Sequence, residues 1–157
     1  MKTRNPWSLL FCICALVFLF VSTAPAEDTI FSNENPSAVM RSPSAPPSPT
    51  QFTLKTQSRI TYLRTYHWNN GNGQDPGTIT LKNLNTGKQF SFQATSYNKY
   101  YWVVKPSYCY RAGTYQITVS SPSTWSYNSQ SGSKGFATVN ADPIPTPEPG
   151  EKGPVCE

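Results

Sequence analysis

Residues 65–84, TYHWNNGNGQDPGTITLKNL, have the pattern of two β-strands joined by a turn. The middle of the stretch is rich in glycine and asparagine, which tolerate the positive φ angles of tight turns, and Pro76 favours the start of a turn. On either side polar and apolar residues alternate, which places successive side chains on opposite faces of a strand. The stretch therefore predicts a β-hairpin inside an all-β domain.

The same alternation continues on both sides of this stretch. In RITYLRTYHW, residues 59–68, one face would carry Ile60, Tyr62, Arg64, Tyr66 and Trp68, and the other Thr61, Leu63, Thr65 and His67. Similar runs surround Ile79, Phe92 and Ile117, and YYWVV, residues 100–104, is apolar on both faces like a central strand. Six or seven short antiparallel strands at this spacing predict a single small β-sandwich of immunoglobulin-like or jelly-roll topology.

The N-terminal residues have the features of a secretory signal. A basic start precedes an apolar run, residues 9–21, and Ala24 and Ala26 fit a small-residue cleavage site. We predict a signal peptide over residues 1–26, with an uncleaved N-terminal anchor as the alternative. No later apolar run has membrane length, so we expect no transmembrane segment after cleavage and a secreted protein, extracellular or periplasmic.

Two segments rich in proline, serine and glutamate flank the centre of the chain. Residues 27–50 and 142–157 have few large apolar side chains, and such segments bury too little surface to offset the entropy of ordering. We predict a disordered linker over 27–50 and a disordered tail over 142–157. The remaining residues, 51–141, suffice for one domain, which we expect to be a monomer.

Two cysteines, Cys109 and Cys156, remain after the predicted signal is removed. In an oxidising compartment they either pair with each other or cross-link chains, unless a thiol stays free. A disulfide between them would stabilise the fold by roughly 3–4 kcal/mol, since it closes a long loop of the unfolded chain.

The predicted domain is strongly basic. Residues 51–141 contain nine Lys and Arg residues and one acid, Asp75, for a net charge of +8. A small domain with this charge attracts anionic polymers. The alternative is that the basic side chains keep a β-surface soluble and prevent pairing at sheet edges.

Catalytic chemistry finds little support in the sequence. His67 is the only histidine of the chain and Asp75 the only acid of the domain, without a recognisable nucleophile motif. One acid cannot perform paired-carboxylate hydrolysis, and one histidine with two distant cysteines does not make a zinc site. We therefore predict no catalytic residue, metal site or cofactor, and assign His67 and Asp75 to shaping the loop. A hydrolase that uses His67 is the last alternative.

Aromatic side chains near turns are the stronger functional signal. Trp68 ends a strand, and Trp125 and Tyr127 lie in a loop rich in serine and asparagine, where rings can stack on sugar faces. The alternative is that these rings cap the ends of the sandwich. The predicted ligand-binding residues are these three rings together with three basic side chains, Arg64, Lys82 and Lys134.

Two segments resemble a known family. TYHWNNGNGQDPGTITL, residues 65–81, and RAGTYQITVSSPSTWSYNSQSGSKGFATV, residues 111–139, are similar to the hairpin and final strands of secreted bacterial β-sandwich domains with no assigned function. The likeness spans most of residues 61–139, whereas Cys109 lies outside the pattern. The resemblance implies a β-sandwich fold and an extracellular location, and it indicates no catalytic residue.

Together these patterns predict a secreted, non-catalytic module that binds an anionic cell-surface or extracellular polymer, with polysaccharide favoured. A structural or protein-interaction domain without a glycan ligand is the alternative. An extracellular location argues against nucleic acid as the partner.

Overall fold

The computed structural model describes residues 28–39, 45–145, 147–148, 150 and 152–156, so the predicted signal peptide lies outside it. Two antiparallel sheets pack face to face, which confirms the prediction of a small all-β sandwich. The larger sheet has the order β1-β10-β3-β7-β6, with β8 also paired to β3, and the smaller has the order β2-β9-β4-β5. The strands are β1 (Asp28–Ser32), β2 (Thr50–Leu54), β3 (Ser58–Tyr66), β4 (Thr78–Asn83), β5 (Gln89–Gln93), β6 (Thr95–Tyr97), β7 (Tyr101–Val104), β8 (Cys109–Tyr110), β9 (Gly113–Val119) and β10 (Ala137–Pro143).

The described residues form ten strands rather than the six or seven predicted. The additional ones are β1, β6 and β8, which are five, three and two residues long. Strands this short carry almost no periodic signal of their own. They form because β10, β7 and β3 offer them free backbone groups, which the sequence pattern does not reveal.

The stretch 65–84 is not the predicted hairpin. Its first strand, β3, lies in the larger sheet and its second, β4, lies in the smaller sheet, so the glycine-rich turn crosses between the sheets. Gly73 packs so closely against the β6–β7 turn that a Cβ atom would lie 2.5 Å from the carbonyl oxygen of Lys99. The indole N–H of Trp102 donates a hydrogen bond of 2.8 Å to the Gln74 carbonyl and anchors the same loop.

The alternation along β3 is interrupted by a β-bulge. Asn140 pairs with Tyr62 and Ala141 with Ile60, which leaves Thr61 as the extra residue. The predicted face containing both Ile60 and Tyr62 is therefore wrong, because the bulge shifts the phase by one residue. Ile60 and Leu63 both point into the core.

The facing sides of the two sheets form one hydrophobic core. Trp102, which belongs to the run YYWVV predicted as a central strand and was therefore expected in the core, is fully buried in it. The larger side chains of the core are Phe52, Leu54, Ile60, Leu63, Ile79, Leu81, Trp102, Val104, Tyr110, Tyr115, Ile117, Trp125 and Val139. No helix in the described part of the chain is both long and apolar enough to cross a membrane.

Both predicted tails contribute to the sandwich. Residues 28–39, assigned to a disordered linker, instead supply β1, and Ser48 forms an isolated bridge with Lys134. At the other end β10 runs to Pro143, and the Ile144 N–H donates to the Gln57 carbonyl at 2.9 Å. The sandwich thus extends beyond the predicted limits of 51 and 141. It also includes acids of both segments, so its net charge is lower than predicted.

A disulfide joins Cys109 of β8 to Cys156, with their Cα atoms 4.7 Å apart. Cys109 and Cys156 therefore pair with each other, whereas the sequence had also allowed cross-linked chains or a free thiol. Arg111 donates a hydrogen bond of 3.0 Å from Nε to the Cys156 carbonyl and holds the same segment. The C-terminal tail is therefore attached to the edge of the larger sheet beside β8.

We expect the double substitution Cys109→Ser/Cys156→Ser to lower the free energy of unfolding by about 3–4 kcal/mol, because the unfolded chain loses a constraint on a long loop. Denaturant unfolding measures the loss. Val155→Ser, at the exposed neighbouring position, serves as the control and should leave stability almost unchanged. Equal stability of the double variant and the unsubstituted protein would contradict the prediction.

Candidate functional site

Trp125, one of the predicted ligand-binding rings, is a core residue. Only 4% of its surface is exposed, and its indole N–H donates a hydrogen bond of 2.9 Å to the Phe136 carbonyl. Gly135 packs against the ring and leaves no room for a Cβ atom. The prediction that Trp125 contacts a ligand is therefore wrong, because the loop 120–136 folds its apolar ring inward and faces solvent with polar side chains.

The other five predicted residues do not form one surface. Trp68 is exposed at the end of β3, and Arg64 lies on the outer face of the larger sheet. Lys82 is exposed on β4 of the smaller sheet. Tyr127 and Lys134 are half-buried in the loop before β10. Of these five, Trp68 contacts the half-buried ring of Tyr100, and Arg64 contacts that of Tyr101.

Five aromatic side chains make a continuous strip on the larger sheet. Tyr66, Tyr101 and Tyr97 lie directly opposite one another on β3, β7 and β6, with ring centroids 4.9 and 6.3 Å apart. Tyr100 continues the row from Tyr66, at 6.1 Å, and Trp68 follows at 5.0 Å. We call Trp68, Tyr100, Tyr66, Tyr101 and Tyr97 the aromatic strip.

The strip has exposed rings at its two ends and a buried ring, that of Tyr66, at its centre. Tyr97 is 61% exposed and Trp68 38%, Tyr100 and Tyr101 are half-buried, and Tyr66 is only 8% exposed. Burial raises the pKa of both Tyr66 and Tyr101, with smaller contributions from neighbouring charged or ionisable groups. Their hydroxyls therefore stay protonated in neutral solution, where they can both donate and accept hydrogen bonds.

Two cations lie over rings of the strip. The guanidinium carbon of Arg64 is 4.9 Å from the centroid of Tyr101, and Nζ of Lys99 is 5.5 Å from that of Tyr100. Lys99 also donates a hydrogen bond of 2.9 Å to the Gly71 carbonyl, which ties the β6–β7 turn to the glycine-rich loop. One end of the strip thus carries an exposed positive charge.

Arg64 is paired with an acid that the sequence analysis had placed in a linker. Its Nε and Nη2 atoms donate to the two carboxylate oxygens of Glu34, both at 2.8 Å, and Thr138 donates to the same carboxylate at 3.0 Å. Burial is the largest single effect and lowers the pKa of Arg64, but the hydrogen bonds to Glu34, the charge of Glu34 and the nearby Tyr62 together raise it overall. The charge of Arg64 is therefore compensated locally, and its main contacts position Tyr101 and the segment after β1.

His67 is fully buried beneath the loop that follows β9. Its ring stacks on Trp102 at 4.0 Å, and its two nitrogens form hydrogen bonds with the hydroxyls of Thr65 and Thr124 at 3.0 and 2.9 Å. Burial lowers the pKa of His67 to about 3, so the ring is neutral at physiological pH. The neutral imidazole thus connects Thr65 of β3 to Thr124 of the loop after β9 and has no exposed surface.

No group of three His, Cys, Asp or Glu side chains that could hold a metal occurs within the described residues. Asp75 is exposed in the glycine-rich loop. The arrangement with the clearest chemistry is the aromatic strip, which combines ring faces, hydroxyls and one ammonium group on one surface.

Five members of this surface were not among the predicted ligand-binding residues: Tyr66, Tyr97, Lys99, Tyr100 and Tyr101. The pattern of YYWVV, residues 100–104, predicts a strand that is apolar on both faces, whereas Trp102 and Val104 face the core and Tyr101 faces outward. Asn98 and Lys99 adopt positive φ, which makes a tight turn and brings Tyr97 opposite Tyr101. A tyrosine on each side of an Asn-Lys turn was the signal that could have revealed the pair.

No family model, no curated protein and no solved structure matches this chain. The resemblance to secreted bacterial β-sandwich domains therefore stays a prediction. The site must be interpreted from its own geometry.

His67 should make stability depend on pH. Its pKa is about 3 in the folded protein and about 6.5 in the unfolded chain, so between these values only the unfolded chain takes up the proton. The contribution to stability is present above about pH 6.5 and decreases by up to about 1.4 kcal/mol per pH unit as pH falls. Denaturant unfolding at several pH values measures the decrease.

The variant His67→Gln supplies the comparison, because it keeps every carboxylate but lacks this titration. Its free energy of unfolding should be lower at neutral pH and should fall less steeply towards about pH 4 than that of the unsubstituted protein. Parallel pH curves for the two proteins would contradict a depressed pKa at His67.

Proposed function

We propose that this protein is a secreted, non-catalytic binding module that holds a polysaccharide strand along the aromatic strip. The observation that carries the proposal is the continuous row from Trp68 to Tyr97, in which neighbouring centroids are 4.9 to 6.3 Å apart. Sugar rings present apolar faces that stack on aromatic rings and hydroxyl groups that bond to polar neighbours. A row of tyrosines offers both kinds of contact.

The position of the strip supports a preformed site. Tyr66 and Tyr101 are on paired central strands, and the stacking of Arg64 on Tyr101 limits the movement of that ring. Rings held by strands lose little conformational freedom when a ligand binds, so more of the contact energy appears as affinity. The row runs across strands rather than along one, which favours an extended chain over a compact ligand.

Charge supports an acidic polysaccharide as the ligand class. Lys99 adds an exposed ammonium group at the Trp68–Tyr100 end, and the domain as a whole is basic. Arg64 contributes less than expected because Glu34 neutralises it. We therefore assign most of the affinity to ring contacts and a smaller, salt-dependent part to charge.

The burial of His67 and the exposed position of Asp75 support a binding role rather than hydrolysis. The competing function is a structural or protein-interaction domain. Its support is that an exposed strip of tyrosines and one tryptophan also has the composition of a protein-binding surface.

Binding to polygalacturonate or alginate, measured by calorimetry at low ionic strength, tests the proposal, with neutral dextran as a comparison. We expect Trp68→Ala and Tyr101→Ala each to weaken binding about tenfold, the equivalent of about 1.4 kcal/mol, through the loss of a stacking ring. Tyr108→Ala, at an exposed ring outside the strip, is the matched control and should bind normally.

Lys99→Ala should weaken binding at low salt and flatten its dependence on ionic strength, since it removes the exposed charge of the strip. Circular dichroism establishes that each variant is folded. If no acidic or neutral polysaccharide binds the folded protein, the structural or protein-interaction function takes the place of this proposal.

A further inference from the structure

β5 is the outermost strand of the smaller sheet and is paired with β4 on one side. No strand in the described residues pairs with its other side. The backbone hydrogen bonds from Asn83 N to the Lys88 carbonyl and from Ala94 N to the Gly77 carbonyl flank the strand. Because antiparallel bonding alternates, the backbone groups of Phe90 and Phe92 face β4, and those of Gln89, Ser91 and Gln93 face outward.

The sequence of β5 is a palindrome. Residues 89–93 are Gln-Phe-Ser-Phe-Gln, with Ser91 at the centre. When two identical strands pair antiparallel about a two-fold axis through their central residue, the residue before the centre always meets the residue after it. In this strand such pairing matches phenylalanine with phenylalanine and glutamine with glutamine, so every cross-strand pair is between like side chains.

The strand lacks the usual features that prevent edge pairing. It contains no proline and no charged residue, whereas natural edge strands commonly carry lysine, proline or a bulge. Phe90 and Phe92 are only half-buried, and Tyr108, 59% exposed, packs on Phe92 with centroids 6.1 Å apart. An open cleft of about 590 Å³ runs beside them, between β5 and the end of β7. Apolar ring surface therefore lies next to unpaired backbone groups.

We propose that this edge binds a second copy of the chain, with the two β5 strands paired antiparallel about a two-fold axis at Ser91. The outward N–H and C=O of Ser91 would bond reciprocally to those of the partner's Ser91, and Gln89 would exchange two bonds with the partner's Gln93. Phe90 would lie opposite the partner's Phe92 on the core side, a favourable aromatic cross-strand pair. The two smaller sheets would become one continuous sheet.

This dimer does not depend on the proposed polysaccharide site, and it replaces the monomer expected from the sequence. A contact built on one five-residue strand belongs to the small class of interfaces, below about 1,200 Å². We therefore expect a reversible equilibrium that shifts from monomer to dimer as the protein concentration rises from micromolar to millimolar.

Sedimentation velocity of the chain from residue 27 onward, which contains all ten strands, tests the proposal. Ser91→Lys places two like charges directly opposite each other at the axis and should weaken association by about tenfold or more. Thr118→Lys adds the same charge at an exposed position of β9, an inner strand paired on both sides, and should associate like the unsubstituted protein.

Amide hydrogen exchange locates the contact in the unsubstituted protein and does not depend on the folding of any variant. The amides of Gln89, Ser91 and Gln93 should exchange several-fold more slowly at high than at low protein concentration, whereas those of Phe90 and Phe92 are already bonded within the sheet. A monomer at every concentration would overturn the proposal. So would association that Ser91→Lys leaves intact, or that Thr118→Lys weakens equally, or exchange at the three outward amides that does not change with concentration.

Discussion

The alternation of side chains along β3 determines which residues of this protein are buried in the core and which form the outer surface of the larger sheet. The strand is central in the larger sheet, and every second side chain along it must face the core. The bulge at Thr61 sets this phase, so that Leu63, Thr65 and His67 face inward while Tyr62, Arg64 and Tyr66 face outward. Without the bulge, Ile60 and Leu63 could not both be buried, because they are an odd number of residues apart.

The same phase links the core to the candidate site. His67 fills the inner side at the end of β3, where two threonine hydroxyls satisfy its nitrogens and Trp102 covers its ring. Burying a polar ring costs free energy unless both nitrogens find partners, so this end of the sandwich depends on the positions of Thr65 and Thr124. Because the inner side is packed in this way, Tyr66 and its neighbours on the outer side are held in one row.

Segments that looked like mere linkers contribute the contacts that complete this surface. Glu34 follows β1 and neutralises Arg64, which lies half-buried over Tyr101. The disulfide to Cys156 fixes the opposite end of the chain beside β8. Both contacts connect residues that are far apart in sequence, and Glu34 also lowers the net charge of the sandwich. The smaller sheet, by contrast, ends at β5, a strand of palindromic sequence without charged residues whose free side pairs with no strand of the described chain.

The amino-acid sequence by itself determined the all-β class and the positions of the longer strands, because the alternation of β3, β4, β5 and β9 is a local property. It also indicated that Trp102 is a core residue and that aromatic side chains matter. Only the tertiary structure decided that residues 65–84 cross between the sheets, that Trp125 is buried and that Glu34 pairs with Arg64. The aromatic strip likewise became visible only when β3, β7 and β6 were placed side by side. The physical reason is that strand partners are chosen by hydrogen bonding and packing between distant segments, whereas a sequence pattern records only which side of its own strand a residue occupies.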